Sequence, residues 1–242
     1  MCFKVTVTVR RNDSRREVAV AETRTVRSTG TREAIMAAAE RLYAEHGLVA
    51  VSNRQISEAA GQGNVAAVGY HFGTRADLVR AIMGKHSEAI ERIRRRMLEE
   101  TRGSREVRDW VACLVRPAPE HLATLGLPSW YARFAVQVMT DPLLRAIVTD
   151  EALTREPLRE TLYGLGRCLD ALPAEVRAER GDMARQLITH TCAERERALA
   201  EGTSTRQPSW DDTAGALTDA ITGLLLAPVT PRSPAKEART NP

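Results

Sequence analysis

Apolar residues recur at three- and four-residue steps between residues 31 and 83, and glycines at 47, 61, 63 and 73 interrupt them. Segments so short can be only small helices, and the pattern confines this stretch to three of them and the start of a fourth. Ile35, Ala38, Ala39, Leu42 and Tyr43 give the first helix one apolar face, and Gly47 is placed to end it. Ser52 or Asn53 can cap the second, whose inner face is Ile56, Ala59 and Ala60. Gly61-Gln62-Gly63 breaks it, and Asn64 can cap a third running to about His71. Gly73 ends that one. Thr74, with Asp77 three residues on, makes a capping-box-like start to a long fourth helix whose stripe is Leu78, Ile82, His86, Ile90, Ile93 and Met97. Arg92 to Arg96 are expected largely on its outer side, and Gly103 closes it.

The remainder reads as helices too. Val107 to Leu114 gives a helix up to Pro117, Trp130 to Met139 another, and Pro142 to Val148 a further one. Leu158, Leu162, Leu165, Leu169 and Leu172 form a seam that stops at Pro173. Met183, Leu187, Thr191 and Cys192 line a helix reaching Glu201, and Ala214, Leu217, Ile221 and Leu224 line the last, before Pro228. No βα alternation and no internal repeat interrupts this. The fold class expected is therefore all-α: a three-helix helix-turn-helix head and a larger helical body.

The domains expected are a basic, disordered arm at 1–30, a small helical head at 31–83, a larger helical domain at 84–228, and a loose tail at 229–242. The 242 residues suffice for a sizeable core, and no apolar run approaches the roughly 18 residues of a membrane span. No secretory signal pattern opens the chain, so the cytoplasm is the expected location. Net charge is +4, yet residues 1–32 alone carry +5, leaving the rest near neutral. A basic end on a neutral body suits contact with a polyanion, and equally a solvated tail.

Two connected short helices with a glycine turn match a helix-turn-helix, whose second helix enters the major groove. Here the motifs become specific. RLYAEHG, SNRQISEAAG and VGYHFGTRADLVRAI, in that order and spacing, resemble the DNA-binding domain of the tetracycline-repressor family over residues 31–83. Tyr43 and Gly47, Ile56 to Gly61, Tyr70-His71-Phe72, and Thr74-Arg75 with Asp77-Leu78 occupy the family's positions. The sequence departs from the pattern at Ser57, where alanine is usual, at the longer Gln62-Gly63 turn, and at Gly69, where an aromatic is frequent.

The candidate DNA-binding residues are Arg32, Ser52, Asn53, Arg54, Gln62, Asn64, Val65, Ala66, Gly69, Tyr70, His71, Thr74 and Arg75. The resemblance implies phosphate contact for Tyr70 and for the Thr74-Arg75 helix start. Base reading falls to Asn64, Gln62 or His71, with Val65 or Ala66 against a thymine methyl. The competing reading packs Tyr70 between helices and leaves His71 as a mere cap. Phe72 is expected in the core. Arg54 at a helix start opposes the helix dipole, which a nearby phosphate would offset.

His86, Trp110, Cys113, His121, Trp130, Tyr131, Phe134 and Met139 are candidates to line a ligand pocket in the body, and each alone fits plain core equally well. For His86, ligand contact, a buried hydrogen bond to another helix and a half-exposed position all stand. The four cysteines form no CxxC pair, so no metal site is expected, and no cofactor either. GxSxG, P-loop, GxGxxG and HExxH patterns are absent, and carboxylates such as Glu194 and Glu196 are expected on helix surfaces beside arginines. The resemblance implies a homodimer on a palindromic operator in double-stranded DNA, with helices at about 175–201 and 209–227 as the interface. It implies a repressor released by a small-molecule effector, and no enzyme. Control by a partner protein, activation in place of repression, and a helical enzyme sharing the head are the alternatives.

Overall fold

A computed structural model describes the backbone of residues 11–230 and the side chains of residues 29–230. The tail beyond 230 and the first ten residues lie outside the described residues, as do the side chains of the basic arm. Among the described residues the chain is all helical, with eleven helices and no strand. In order they are α1 (Arg11–His46), α2 (Asn53–Ala59), α3 (Ala67–Phe72), α4 (Arg75–Thr101), α5 (Val107–Val115), α6 (Pro117–Leu125), α7 (Tyr131–Thr140), α8 (Pro142–Leu153), α9 (Glu156–Cys168), α10 (Ala174–Ala200) and α11 (Trp210–Leu226).

Two helices depart from the expected outline. The backbone of α1 is helical from Arg11, twenty residues ahead of Thr31. No proline stands in that stretch, and alanine, arginine and glutamate favour the helix. The second departure is α6, which the sequence left unassigned after Pro117. Proline at the first helical position costs nothing, because that amide has no intrahelical partner anyway.

The chain divides into two compact units. The first holds the residues up to His86 together with Arg133–Val148, and the second holds Ser87–Ala132 and the residues from Thr149 on. In the first, α1 packs on α2 and α2 on α3. Its core is Ile35, Ala39, Tyr43, Val51, Ile56, Val68, Leu78, Val79, Ile82 and Phe134, all nearly or wholly withdrawn from water. In the second, α11 packs on α5, α6 and α10, and α5 packs on α6 and α9. The ring of Trp110 lies against the backbone of Gly164, where a side chain would have no room.

Several expected faces are revised. Leu162 is exposed, and the buried seam of α9 runs instead through Thr161, Leu165 and then Leu169 just past its end. Met183 and Leu187 are also exposed, while Ala184, Cys192 and Ala193 face inward. Arg94 is buried, unlike Arg92, Arg95 and Arg96. Its guanidinium donates to Glu91 Oε1 at 3.0 Å and to the carbonyls of Cys113 and Leu114, so α4 is tied to α5 through a satisfied charge. Glu196, expected at the surface, is wholly buried. Its carboxylate accepts from the Ser129 hydroxyl (2.9 Å) and the Ala132 amide (3.2 Å), an anion seated at the N-terminus of α7. Arg195 beside it is buried too, its guanidinium stacked on Trp210 at 5.0 Å.

Candidate nucleic-acid interface

The head is built by short-range capping. Ser52, not Asn53, caps α2: its Oγ accepts from the Gln55 amide at 3.3 Å, and Gln55 Oε1 accepts from the Ser52 amide at 2.9 Å. Gly47 and Gly73, with φ of +84° and +74°, stop α1 and α3 in a conformation that side-chain-bearing residues rarely adopt. The start of α4 carries the expected reciprocal pair: Asp77 N donates to Thr74 Oγ1 (3.1 Å), and Thr74 N to the Asp77 carboxylate (3.3 Å). The Thr74 hydroxyl and amide hold the Asp77 carboxyl below its ordinary value, with Arg80 adding to this.

Asn64 does not cap α3. Its Oδ1 accepts from the Ala66 amide at 2.9 Å, two residues on, as a turn brace, and the N-cap position is Ala66, without a side-chain cap. Gln62 Nε2 donates to the Ala60 carbonyl at 3.1 Å. Ser57 is fully buried and donates to the Val65 carbonyl at 3.2 Å. The longer turn is therefore pinned at three points, one of them by the residue that replaces the usual alanine.

Beyond that turn, α3 divides cleanly. Ala67, Val68 and Phe72 are buried, so Phe72 is core as expected. Val65 and Ala66, in the turn just before α3, and Gly69 and Tyr70 within it are exposed. Tyr70 is 81% exposed, which sets aside its packing between helices, and His71 is half-buried with its ring edge-on to Tyr70 at 5.1 Å.

The remaining candidates lie outside α3. Ser52, Asn53, Arg54, Thr74 and Arg75 are exposed at the starts of α2 and α4. Arg54 pairs with Glu58 at 2.8 Å, which offsets its unfavourable place at a helix N-terminus. Arg75 donates to the Val51 carbonyl at 3.2 Å. Arg32 stacks its guanidinium 4.7 Å above the Phe72 ring, beside the end of α3. Burial raises the phenol of Tyr43 above its ordinary value, and the Arg75 guanidinium draws it partly back. Val49, between α1 and α2, is 90% exposed, and the apolar run Leu48 to Val51 gave no sign of which member would face outward.

The eight candidate pocket residues do not all fall in one unit. His86, Phe134 and Met139 belong to the first, and Trp110, Cys113, His121, Trp130 and Tyr131 to the second. His86, of whose three readings the buried hydrogen bond is realised, meets Glu40 of α1 at 2.9 Å. Phe134 is fully buried and stacks on Tyr43, ring centroids 6.1 Å apart. Trp110 is buried and donates from Nε1 to the Ser104 carbonyl at 3.1 Å. Cys113 Sγ lies 3.1 Å from Thr101 Oγ1. His121 and Tyr131 are buried and meet edge to face at 5.9 Å, Trp130 and Met139 being half-buried. Among the described residues no group of His, Cys, Asp and Glu is arranged to hold a metal ion, and no helix is long and apolar enough to cross a membrane.

Two short helices at a braced turn, the second exposing one face, define a helix-turn-helix DNA-binding protein. Residues 35–82 match the family model described as bacterial regulatory proteins, tetR family, which covers the helix-turn-helix head. No curated protein matches the sequence. Among solved structures, a TetR family transcription regulator from Marinobacter aquaeolei VT8 aligns with a TM-score of 0.54 at 15% identity, covering 83% of this chain and 97% of the other. The TetR-like transcriptional regulator LfrR from Mycobacterium smegmatis, solved in complex with proflavine, aligns with a TM-score of 0.41 at 22% identity, covering 84% and 99%.

Proposed function

We propose that this regulator is a repressor that binds a palindromic operator as a homodimer in the cytoplasm and is released by a small-molecule effector held in the body. The observation that carries this reading is α4. It is one unbroken helix of 27 residues that begins at the Thr74–Asp77 cap of the head and continues past His86 into the second unit. A rigid helix shared in this way lets an event near its far end bias the position of its near end. The effector achieves release only by binding the released state more tightly than the DNA-bound state.

Dimerisation is supported by the surface of α10 and α11. Met183 and Leu187 on α10 and Leu226 on α11 are large apolar side chains left in water. Ala216, Ala220 and Gly223, also exposed, form a row of small residues on α11 that suits close helix approach. Two helices from each of two copies would bury these surfaces in a four-helix bundle.

The test begins with selection of duplexes from a random pool by the full chain, followed by mobility shift across a salt series. An inverted repeat bound by two copies, with affinity falling steeply as salt rises, supports the reading. Compounds that dissolve this complex are then sought. A complex that only a protein partner dissolves would favour partner control.

A further inference from the structure

We propose that the head reads thymine methyl groups through Val65 and Ala66, in the turn that enters α3, with Ser57 as the residue that positions Val65; this rests on the DNA-binding reading of the head. The face offered to DNA consists of Val65 (52% exposed), Ala66, Gly69 and Tyr70. Apart from the Tyr70 phenol, its side chains carry no donor or acceptor. Base edges are read most sharply by side chains that present two hydrogen-bonding atoms at once: arginine to guanine, asparagine or glutamine to adenine. Around the turn, the head's side chains of that kind are engaged within the protein, and Asn53, which is not, stands exposed at the start of α2, off the α3 face. Asn64 has given its Oδ1 to the Ala66 amide, and Gln62 its Nε2 to the Ala60 carbonyl. These bonds hold both amides against the turn. Arg54 is paired with Glu58, and Arg75 with the Val51 carbonyl.

The major-groove feature left for an apolar face is the C5-methyl of thymine. Gly69 is exposed on α3, and a side chain added there would meet nothing within the protein. Its bareness lets the helix approach the groove floor closely enough for short side chains to touch a methyl. Position then matters more than reach. The buried Ser57 hydroxyl, bonded to the Val65 carbonyl, fixes the Val65 peptide on α2 across the glycine-rich turn.

The full chain first selects its operator from a random duplex pool. Each thymine of a half-site is then replaced singly by uracil, which removes the methyl and leaves the pairing edge intact. Each of those positions is also tested as 5-methylcytosine paired with guanine, which restores a methyl in the same groove. At one or two positions per half-site uracil should weaken binding by about fourfold, the value of one buried methyl, and 5-methylcytosine should recover part of it. In Val65→Ala the uracil penalty should shrink at one of those positions, with the salt dependence of binding unchanged. Ser57→Ala should blunt the same thymine–uracil discrimination while the Val65 side chain is still present. An operator whose affinity ignores uracil everywhere would overturn this proposal alone, as would penalties that persist in full in Val65→Ala. Failure to select any duplex would overturn the DNA-binding reading and this proposal together.

Discussion

His86 Nε2 on α4 lies 2.9 Å from Glu40 Oε2 on α1, and both side chains are almost wholly withdrawn from water. The pair fastens the long helix to the first helix of the head, at residue 86, well past the Thr74 cap of α4. Removing His86 takes from the buried Glu40 carboxyl its partner on α4. His86→Ala should therefore destabilise the chain by about 1–3 kcal/mol in denaturant unfolding. A variant as stable as the parent would show that the pair contributes nothing.

Trp110 and Gly164 define a second rigid contact. A Cβ on Gly164 would lie 2.4 Å from the indole ring, which has no flexible end to give way. Gly164→Ala should cost about 1–3 kcal/mol through overpacking and shift the tryptophan fluorescence, although alanine is the better helix former. An unchanged melting curve would mean that α5 and α9 separate freely there.

Gly69 predicts the opposite pattern. It lies inside α3, exposed, with open space around it. Gly69→Ala should leave the protein as stable or stabilise it by up to about 1 kcal/mol. On the proposed reading that face enters the groove, so the added methyl should nevertheless weaken operator binding. Binding and melting measured on the same preparation separate the two effects, and loss of neither would remove Gly69 from the interface.

The cysteines should differ in reactivity. Burial pushes the Cys192 thiol up to about 12, with Glu196 adding to the shift. At pH 8 it holds almost no thiolate, the form that attacks alkylating reagents. Cys168 is only half-buried, so it should be alkylated before Cys192 in the native chain, with both labelled alike after unfolding. Peptide mass spectrometry over a time course reads the order, and fast labelling of Cys192 would contradict its placement.

The head was the most legible part of the sequence because its information is local. Gly47 and Gly73 stop helices by backbone conformation, and the Thr74–Asp77 pair closes within four residues. The capping of α2 was narrowed to two residues, and geometry selected Ser52. In α3 the sequence marked Phe72 as core, and the burial of Ala67 and Val68 came from the fold. What escaped depended on partners far along the chain. Glu196 looked like a surface carboxylate because its partners, Ser129 and Ala132, lie more than sixty residues away. Arg94 sat in an arginine-rich run whose neighbours are solvated, and carbonyls of α5 draw it inward. The candidate pocket residues were chosen by type alone, and type does not say which of two units a side chain will join. Met183 and Leu187 had the periodicity of core but point outward.

The most direct test of the central claim is footprinting of the selected operator by the full chain at several salt concentrations. The account predicts an inverted repeat protected over two half-sites in successive major grooves, about one helical turn apart, with affinity falling as salt rises. Tyr70→Ala should lose that protection while keeping its melting temperature. A chain that folds fully yet protects no duplex from the pool at low salt would contradict it.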